Sequence, residues 1–423
     1  MTMSGAEEVN VLELTLHGTR VGYLTGYKDG RNILAFTPEF TENSSRPTFT
    51  LTTHPEFPNV KNVLAKPWSR RQRLHPVLSN LLPEGALREL LAQYLKIHTD
   101  NEFNLLAHLG QDLPGALIVT AAEPDDVPSY VLDPWTKAAK TEVKGDPNQF
   151  SLAGVQMKFS MREQDGRYRT AESGDLGDWI IKTPSTVHKL VPLNEFTAMR
   201  LAQTAGIDMP DIKLVEMGAL DKLPAINLPD EEFAFAIRRF DRSGEKRIHS
   251  EDFAQILVKY SQQKYDGPSY EQIGKIIYQY TGDSLGNTQQ FARRLLVNIL
   301  LANGDAHLKN WSLVYPDAVT PELSPAYDIV ITRVYMDEEK EYALNLSKNK
   351  DWYKATFSHF KDWADKAGIP WKAIKPHLDD TLERARALWP KSLENLPAYH
   401  THKEQLKEHW KMLSPDFRIK TDN

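Results

Sequence analysis

One short polar segment, which follows a strongly apolar helical pattern, constrains this chain more than any other. Apolar residues recur at three- and four-residue spacing from Phe291 to Leu301, which predicts a helix with one buried face. We predict that this helix ends at Gly304, because glycine is common just past a helix C-terminus. Asp305 then opens a loop in which Asn310 follows five residues later. Phosphoryl-transfer enzymes use this spacing for an aspartate that accepts the proton of the attacking hydroxyl and an asparagine that binds a metal ion.

A second acidic residue, Asp328, lies downstream of this loop. It follows a turn marked by Pro325 and precedes an apolar run. A site that holds Mg²⁺ on nucleotide phosphates needs such a second oxygen ligand. Alone, an aspartate and an asparagine near a helix end are common turn and capping residues. The phosphoryl-transfer hypothesis therefore depends on the other elements of a kinase occurring in the right order.

The composition is that of an ordinary globular protein. The chain has 423 residues, enough for two or three domains, of which 41% are hydrophobic and 26% charged. No apolar run has the length of a membrane span and residues 1–10 lack a signal-peptide pattern, so we expect a cytoplasmic protein. The absence of cysteine excludes disulfides, thiol catalysis and cysteine-based zinc sites. The net charge of -6 argues against nucleic-acid binding by the chain as a whole.

The N-terminal part of the chain divides into a β-rich region and a helical region. Alternating apolar residues and turn-forming glycines predict β-hairpins over 11–52. The pattern becomes helical over 74–110, and we interpret the basic cluster at 66–73 as a solvated surface. Prolines and weak apolar periodicity indicate a linker over 122–149. We therefore assign residues 1–121 to an N-terminal subdomain.

The next segment contains the elements expected of the smaller lobe of a kinase. Gln149–Ser160 is predicted as a strand, a turn of small residues and a strand; such a turn lets backbone N–H groups approach phosphates, although a plain hairpin has the same pattern. Lys182 stands among apolar residues in a predicted strand, which suggests phosphate binding unless it lies at a solvent-facing edge. A helix with Asn194 as its N-cap follows. Glu195 in its first turn is the candidate ion-pair partner of Lys182, or else simply favours the helix N-terminus.

The remainder of the chain is predicted to be helical. Strands at Ile212–Val215 and Phe233–Ile237 precede a hinge between two lobes at Arg238–Arg242. Helical periodicity then covers 250–262 with Ser250 as N-cap, 269–281, 287–303 and much of 352–412. The predicted fold class is α+β, with a bilobal, protein-kinase-like arrangement. It comprises the N-terminal β-rich subdomain, a nucleotide-binding lobe over 150–240 and an all-helical lobe over 241–423.

Taken together, these motifs resemble the HipA family, the serine/threonine kinase toxins of bacterial toxin-antitoxin systems. Ser151–Lys158 looks like the family's phosphate loop, Asn303–Asn310 like its catalytic loop and Tyr327–Ile329 like its metal-binding segment. Asn80–Gly85 and Leu113–Ala116 look like parts of its N-terminal half. The resemblance covers nearly the whole chain and implies the HipA-like version of the kinase fold.

The resemblance implies roles for individual residues in binding ATP and Mg²⁺. Asp305 is expected to be the catalytic base, and Asn310 and Asp328 the Mg²⁺ ligands. Lys182 is expected to hold the α and β phosphates. The other ATP-binding positions that it implies are Ala153, Gly154, Val155, Gln156, Met157, Lys158, Arg238, Arg239, Phe240, His307 and Lys309. Ser151 matches the serine that family members autophosphorylate, a modification whose roughly two negative charges would repel the nucleotide phosphates.

Two positions depart from the family's pattern. Met157 stands where well-known members carry an acidic residue, and Arg238 replaces a glutamate at the hinge. Neither position has a catalytic role in the family. The departures therefore bear on nucleotide affinity and on the adenine pocket.

The resemblance also implies partners. Family members pair with a small helix-turn-helix antitoxin, HipB, which binds operator DNA, so we expect this chain to reach DNA mainly through an antitoxin. Known targets of the family include aminoacyl-tRNA synthetases, which makes a protein of translation an expected substrate. No membrane partner is expected.

Two other functions remain open at the level of sequence. A small-molecule phosphotransferase of the aminoglycoside or choline kinase kind uses a similar loop, although such an enzyme has no need of the module at 1–121. A catalytically silent binding protein with a kinase fold is the other alternative. The intact set of Lys182, Asp305, Asn310 and Asp328 argues against silence, because buried charges without a function are expensive to keep.

Overall fold

The computed structural model describes residues 7–141, 157–170, 176–221, 223 and 227–421. Four positions predicted to cover the nucleotide, Ala153, Gly154, Val155 and Gln156, lie outside the described residues, as does the predicted autophosphorylation site Ser151. The described residues form a β-rich N-terminal domain, a smaller lobe built on a second sheet and a larger, mainly helical lobe. The β-rich domain and the two lobes agree with the predicted fold class, although the larger lobe was predicted to be entirely helical.

The N-terminal domain is built on one six-stranded sheet. Its strands are β1 Glu7–Leu16, β2 Thr19–Gly26, β3 Arg31–Phe36, β4 Trp68–Arg71, β5 Leu117–Ala121 and β6 Thr136–Ala139. Strands β4, β3, β2, β1 and β5 are neighbours in that order, and β6 pairs in parallel with β1. His17 and Gly18 connect β1 to β2 with φ values of 50° and 78°, the left-handed conformation that a tight hairpin turn needs. The predicted hairpins are therefore present.

Five helices cover one face of this sheet. They are α1 Pro38–Glu42, α2 Val60–Leu64, α3 Pro76–Ser79, α4 Gly85–Leu95 and α5 Glu102–Leu109. Leu78, Leu91 and Leu106 from three of these helices share a core cluster with Leu14 of β1, and all are at most 3% exposed. Burial of these apolar faces is what stabilises helices this short, because isolated helices of their length are marginal in water.

Residues 122–139 are not the loose linker that we predicted. Two turns of 3-10 helix, Pro124–Asp126 and Ser129–Val131, lead into strand β6. Ala122 and Val131 are buried against Val9 of β1. Pro124, one of the prolines that suggested a linker, is the first residue of the first turn, a position where no amide hydrogen is needed. The predicted linker residues 142–149 lie outside the described residues.

The smaller lobe combines a second six-stranded sheet with one long helix. Its strands are β7 Lys158–Gln164, β8 Arg167–Thr170, β9 Trp179–Lys182, β10 Ile212–Glu216, β11 Leu220–Asp221 and β12 Phe233–Arg238, and its helix is α6 Val191–Thr204. The strands are neighbours in the order β10, β12, β9, β7, β8 and β11. Strand β9 therefore lies inside the sheet, and its last residue, Lys182, pairs with Lys158 on β7 and with Phe235 on β12. The solvent-facing edge strand considered for Lys182 is excluded.

Asn194 does not cap helix α6, contrary to prediction. The helix begins at Val191, and Pro192 in its first turn favours that start because proline has a helical φ. Asn194 is 1% exposed inside the helix. Its side-chain amide donates to the carbonyl of Ile331 at 3.1 Å and accepts from the Ile331 N–H at 2.9 Å. Asn194 therefore fixes helix α6 to the segment that follows Asp328.

The larger lobe contains six helices among the described residues, with short strands between them. The helices are α7 Phe253–Ile256, α8 Tyr270–Tyr280, α9 Ser284–Leu300, α10 Phe357–Ala367, α11 Trp371–Asn395 and α12 His400–Met412. The strands are β13 Arg242–Ser243, β14 Lys246–Arg247, β15 His249–Asp252, β16 Ser312–Tyr315, β17 Glu322–Leu323, β18 Glu341–Leu346 and β19 Asn349–Asp351. Within the described ranges, no helix has the length and apolar character needed to cross a membrane.

This lobe is therefore mainly but not entirely helical, and the predicted helix over 250–262 is wrong. Its first residues form β15, which pairs with β16, so Ser250 lies in a strand and does not cap a helix. The actual cap is Asp252, whose carboxylate accepts from the N–H of Gln255 at 2.8 Å. Apolar residues in a short run fit either a strand or a helix, and here pairing with a distant strand decided the outcome.

Side chains from α12 fix the end of helix α9, which precedes the Asp305 loop. The last carbonyl groups of a helix lack partners within the helix. Trp410 donates its indole N–H to the carbonyl of Leu300 at 2.9 Å, and His409 Nε2 lies 2.8 Å from the carbonyl oxygen of Ile299. Burial lowers the pKa of His409 to about 3, so a neutral imidazole with its proton on Nε2 fits this contact.

Buried polar contacts hold the N-terminal domain against the larger lobe. Glu251 of β15 is 2% exposed and accepts from the hydroxyl of Thr50 at 2.6 Å. Asp241 accepts from the backbone N–H of Gly115 at 2.8 Å. Gly115 has a φ of 75°, and a Cβ there would lie 2.9 Å from the nitrogen of Ser250, so both conformation and close approach require glycine. Buried polar groups without hydrogen-bond partners would destabilise this interface. The contacts therefore fix the position of the N-terminal domain relative to the larger lobe.

Candidate active site

Helix α9 ends at Leu300, earlier than the predicted end at Gly304. Ala302 has a φ of 52°, which takes the chain out of the helical conformation. Asn303 then folds back onto the helix, because its backbone N–H donates to the carbonyl of Asn298 at 2.9 Å and its side-chain amide donates to the Asn298 side chain at 2.8 Å. The prediction failed because alanine, not glycine, has the left-handed conformation here.

Hydrogen bonds on both sides of Asp305 hold the loop in shape. The side chain of Asn303 accepts from the N–H of Asp305 at 3.0 Å. Asn310 donates its side-chain amide to the carbonyl of Asp305 at 2.7 Å. The Asp305 side chain itself is 44% exposed. The backbone at Asp305 is therefore fixed while its carboxylate faces the outside of the loop, as a residue that meets an incoming group requires.

A buried cluster of opposite charges lies between helix α6 and the segment after β17. Lys182 donates hydrogen bonds to the carboxylates of both Glu195 and Asp328. The side chains of Lys182 and Glu195 are 4% and 1% exposed, whereas that of Asp328 is 22% exposed. The predicted ion pair between Lys182 and Glu195 is present, and it extends to the predicted metal ligand.

The charged groups in this cluster shift one another's pKa values. Burial opposes the charged form of Lys182, but the carboxylates of Asp328 and Glu195 outweigh it and raise the lysine pKa. Burial also opposes ionisation of Asp328, but Lys158 and Lys182 together bring its pKa far below the usual range. Burial raises the pKa of Glu195, which Lys182 opposes. Asp328 is therefore ionised at every physiological pH, as a magnesium ligand must be.

The two described positions of the predicted phosphate loop have different surroundings. Met157 is 1% exposed and packs in a core cluster with Phe159, while its carbonyl accepts from the N–H of Thr183 at 3.0 Å. The side chain of Lys158 is half exposed, and its ammonium group lies 3.1 Å from a carboxylate oxygen of Asp328. Met157 thus anchors the start of β7, and Lys158 adds a second positive charge beside Asp328.

The backbone of Asp328 has an unusual conformation. Its φ is 53°, in the left-handed region that residues other than glycine rarely adopt and that aspartate tolerates better than most. The two hydrogen bonds between Asn194 and Ile331 hold the segment just beyond it. Residues kept in such conformations cluster at functional sites, where the surrounding structure compensates for the strain.

Side chains of the Asp305 loop and of the Asp328 segment line one small cavity. Asn303, Asn310 and Asp328 are among its lining residues. The amide nitrogen of Asn310 is used by Asp305, so its amide oxygen is the atom that a metal ion would bind. In the described part of the chain, no group of three or more His, Asp or Glu side chains forms a metal site. One carboxylate and one amide oxygen nevertheless fit Mg²⁺, which proteins usually hold with few ligands while nucleotide phosphates supply the others.

His307 lies near both carboxylates of the site. Its Nε2 atom is 3.8 Å from a carboxylate oxygen of Asp305, and its side chain is 5% exposed. Burial lowers the pKa of His307 to about 4, against the opposing negative charges of Asp305 and Asp328. A neutral imidazole at physiological pH can donate or accept a hydrogen bond without adding charge. Of the predicted residues, Asn310 and Asp328 thus line one cavity, Lys182 contacts Asp328, and Asp305 lies beside His307 and Asn310.

Comparison with known proteins places this arrangement in a family. A sequence model described as HipA N-terminal domain matches residues 12–120, and one described as HipA-like C-terminal domain matches residues 150–389. The chain belongs to the HipA family. It is 39% identical to the Sinorhizobium fredii protein Y4dM, named as a candidate kinase, over 92% of this chain and 94% of Y4dM. It is 25% identical to the serine/threonine-protein kinase toxin HipA of Shewanella oneidensis, over 79% of this chain and 80% of that protein.

The fold of this HipA-family protein is similar to that of a chain in the solved Shewanella oneidensis complex of HipA, HipB and operator DNA. The TM-score is 0.71 and the identity 21%, with 95% of this chain and 97% of that chain covered. The similarity confirms the predicted HipA-like fold over nearly the whole chain. It shows the arrangement of the lobes, and the side-chain geometry described above belongs to this chain alone.

The hinge residues of the HipA-family chain do not all face the site. Arg238 is exposed at the end of β12. Arg239 is 8% exposed and makes two hydrogen bonds, of 2.9 and 2.8 Å, to the carboxylate of Asp241. Phe240 packs against Tyr327, with ring centroids 5.5 Å apart, and so lies beside the Asp328 segment. Of the three side chains predicted to line the ATP site, that of Phe240 has the fitting position, while that of Arg239 has a structural partner.

Lys309 contacts residues of the N-terminal domain to which the sequence analysis assigned no individual role. Its ammonium group lies 2.6 Å from the carboxylate of Glu84 and 3.1 Å from the carbonyl of Asn80, both in the N-terminal domain. Glu84 also lies 3.5 Å from the ammonium of Lys264. Burial raises the pKa of Glu84, but Lys309 and Lys264 outweigh this and lower it to about 2. The N-terminal domain thus contacts the Asp305 loop directly, and Lys309 faces that domain.

We expect Glu84→Gln to reduce the rate of phosphoryl transfer by about tenfold, because small misplacements of a catalytic loop are costly. ATP affinity should stay within about twofold, since the Lys182 cluster is untouched. Steady-state kinetics together with calorimetric ATP titration measure both quantities. Glu89→Gln is the matched control, because Glu89 is an exposed glutamate of helix α4, which begins directly after Glu84. An unchanged rate in Glu84→Gln would show that the Lys309 contact is only structural.

Proposed function

We propose that this HipA-family protein is an ATP-dependent serine/threonine protein kinase and the toxin of a HipB-type toxin-antitoxin pair. The observation that carries this proposal is the set of contacts that links Lys182 to Asp328 and Asn310 to Asp305, together with the one cavity that Asn310 and Asp328 line. Protein kinases require a lysine paired with a helical glutamate, a base on a D-x4-N loop and a second acidic metal ligand. The proposed counterparts in this chain are Lys182 with Glu195, Asp305 with Asn310, and Asp328.

In the proposed reaction, the residues of the chain bind and orient the two substrates. Lys182 and Lys158, now paired with Asp328, are the cations available to the ATP phosphates. Mg²⁺, held by Asn310 and Asp328, would supply charge neutralisation at the phosphates. Asp305 accepts the proton of the acceptor hydroxyl, and the neutral His307 lies beside it. Phe240 is the side chain of the hinge that is positioned to meet the adenine.

The proposed partners follow from the relatives. The solved complex similar to this chain contains HipA, HipB and operator DNA, so we propose a HipB-like antitoxin as partner and DNA binding mainly through it. The named relative from Shewanella oneidensis is a serine/threonine-protein kinase toxin. As the substrate we propose a protein of translation, such as an aminoacyl-tRNA synthetase, because phosphorylation of such a protein arrests growth.

Transfer of the γ-phosphate of labelled ATP tests this function. The purified chain is incubated with a bacterial lysate and, separately, with an aminoglycoside, and Asp305→Asn serves as the control. We expect labelled proteins with the unmodified chain and none with Asp305→Asn. Mass spectrometry of the labelled proteins then identifies the substrate. Label on the aminoglycoside alone would show a small-molecule phosphotransferase, and no label on any acceptor would contradict the proposal.

Ser151→Asp should weaken ATP binding by about tenfold or more. Ser151 is the proposed autophosphorylation site, and a negative charge in the phosphate loop repels the nucleotide phosphates. Calorimetric titration with ATP and Mg²⁺ measures the change, and Ser151→Ala should bind with nearly unchanged affinity. Equal affinities for the aspartate and alanine variants would rule out the proposed location of this loop at the phosphates.

A further inference from the structure

A tyrosine that sequence reasoning did not single out contacts the proposed catalytic base. The hydroxyl of Tyr265 donates a hydrogen bond to the carboxylate of Asp305. The Tyr265 ring packs edge-on against the imidazole of His307, with ring centroids 5.0 Å apart. One side chain thus contacts both residues that lie where an acceptor would enter.

The segment that carries this tyrosine is attached to the catalytic loop. The carbonyl of Lys264 accepts from the backbone N–H of Leu308 at 3.2 Å. Lys264 also lies 3.5 Å from Glu84, the residue that holds Lys309. These contacts of Lys264 therefore hold Tyr265 in a defined position relative to Asp305.

The Tyr265 side chain nevertheless has room to move away from Asp305. It is 43% exposed, and Gly267 two residues later has a φ of 88°, a conformation that suits glycine at a bend. Burial, together with the negative charge of Asp305, raises the pKa of the Tyr265 phenol, so the phenol remains protonated and acts as a donor. A neutral hydroxyl that donates to the base is the same interaction that a serine or threonine acceptor makes before transfer.

We propose that Tyr265 occupies the acceptor subsite of the kinase and must be displaced by the substrate hydroxyl before phosphoryl transfer. This inference rests on the proposed function. In the reaction, the acceptor oxygen forms a bond to the γ-phosphorus as the bond to ADP breaks, and its proton passes to Asp305. Until an acceptor with enough binding energy displaces the phenol, Tyr265 also keeps water from the one carboxylate oxygen of Asp305 to which it donates. Tyr265 thereby favours well-bound protein acceptors over water and small hydroxyl compounds.

Basal ATP hydrolysis, with water as the probe acceptor, tests this proposal without knowledge of the substrate. Tyr265→Phe keeps the ring against His307 but removes the hydroxyl, so water gains access to the Asp305 carboxylate oxygen that the phenol occupied. We expect hydrolysis to rise about tenfold, the lower end of the worth of a hydrogen bond to a charged group. The ATP dissociation constant should stay within about twofold. Tyr260→Phe is the matched control, because it removes a hydroxyl on the neighbouring turn that donates to the carbonyl of Leu74 instead.

The sign of the change separates the possible roles. An increase specific to Tyr265→Phe supports the acceptor subsite, and an unchanged rate overturns it. A decrease in kcat would also overturn it, since Tyr265 would then be a positioning residue that orients Asp305. If neither the unmodified chain nor Tyr265→Phe exceeds Asp305→Asn in ATP hydrolysis, the proposed kinase function itself fails and the subsite with it.

Discussion

Asp305→Asn should lower the rate of phosphoryl transfer by at least about a hundredfold, because a positioned general base contributes roughly 10²–10⁴ to a rate. The variant removes the proton acceptor with almost no change in shape. Asn303 and Asn310 bind the backbone of residue 305, not its carboxylate, so the loop should keep its conformation. The amide oxygen of the new side chain can still accept from Tyr265.

ATP binding by Asp305→Asn should stay within about twofold of the unmodified chain. The cations proposed to hold the phosphates, Lys182 and Lys158, contact Asp328 and not Asp305. Single-turnover transfer of labelled phosphate and calorimetric titration with ATP separate the chemical step from binding. Asp266→Asn is the matched control, an exposed aspartate on the same segment as Tyr265. A full transfer rate in Asp305→Asn would remove Asp305 from its role, and lost ATP binding would show that its charge serves the nucleotide instead.

Growth inhibition extends this prediction to the proposed toxin function. Cells that express the unmodified chain without an antitoxin should stop growing, whereas cells that express Asp305→Asn at the same level should not. Because the variant keeps its fold and its ATP affinity, a toxin that acts by sequestering a nucleotide or partner would inhibit growth equally in both forms. Equal toxicity would therefore favour the binding protein over the kinase.

The predictable parts of the site are those whose residues lie close to one another in the sequence. The spacing of Asp305 and Asn310, and the apolar run before them, lie within one stretch of chain. Lys182 was recognisable because a charged residue in an apolar strand is costly unless it is paired, and its partner Glu195 lies close by in sequence. The hairpins of the N-terminal sheet were predictable from alternation and turn residues for the same reason.

The parts that were not predictable depend on contacts between distant segments. The end of helix α9 depends on Trp410 and His409 from α12. Asn194 looked like a cap, but its partner Ile331 is far along the chain. The stretch that looked like a linker contributes a strand, because β1 still had a free edge for β6. Polar residues suit caps, loops and buried tertiary contacts equally well, so their types alone do not distinguish these roles.

The same limit applies to the residues around the Asp305 loop. Glu84 and Tyr265 reach Lys309 and Asp305 from elements that are separate in sequence. No local pattern marks Tyr265, and Glu84 was noted only as part of the family-like segment Asn80–Gly85, without a role of its own. Arg239 was assigned to the ATP site through the family resemblance; Asp241 binds its guanidinium, and its part in nucleotide binding stays a prediction. Which residues surround the site therefore depends on tertiary contacts and cannot be read from residue types.

Lys182→Met is expected to abolish ATP binding and to lower the free energy of unfolding by about 3–5 kcal/mol at pH 7, the usual result of removing one partner of a buried ion pair. Glu195 is 1% exposed and would remain without its main counter-charge. Asp328 would suffer less, because it is partly exposed and keeps Lys158. Urea unfolding followed by tryptophan fluorescence measures the stability, and calorimetry measures ATP binding.

Two further variants separate buried charge from lost side-chain volume. Lys182→Met combined with Glu195→Gln removes both charges, so much of the stability should return while ATP binding stays lost. Lys213→Met is the matched control, because Lys213 is 46% exposed and pairs with Glu163 at the surface. Such surface pairs contribute about 0–1 kcal/mol. If the double variant were as unstable as Lys182→Met alone, packing and not unpaired charge would be the cause.

The stability deficit of Lys182→Met should also depend on pH in a defined direction. Burial raises the pKa of Glu195 even in the unmodified chain, and without Lys182 the main opposing charge is gone. A carboxyl group whose folded pKa lies above its unfolded value favours the folded state at low pH, and this stabilisation is lost as the pH rises through the folded pKa. The deficit relative to the unmodified chain should therefore be smallest in acid and increase toward neutral pH. Asp328 acts in the same direction, because its depressed pKa stabilises the unmodified chain only above the ordinary carboxyl range. A deficit that is constant across this range would mean that Glu195 does not bear the unpaired charge.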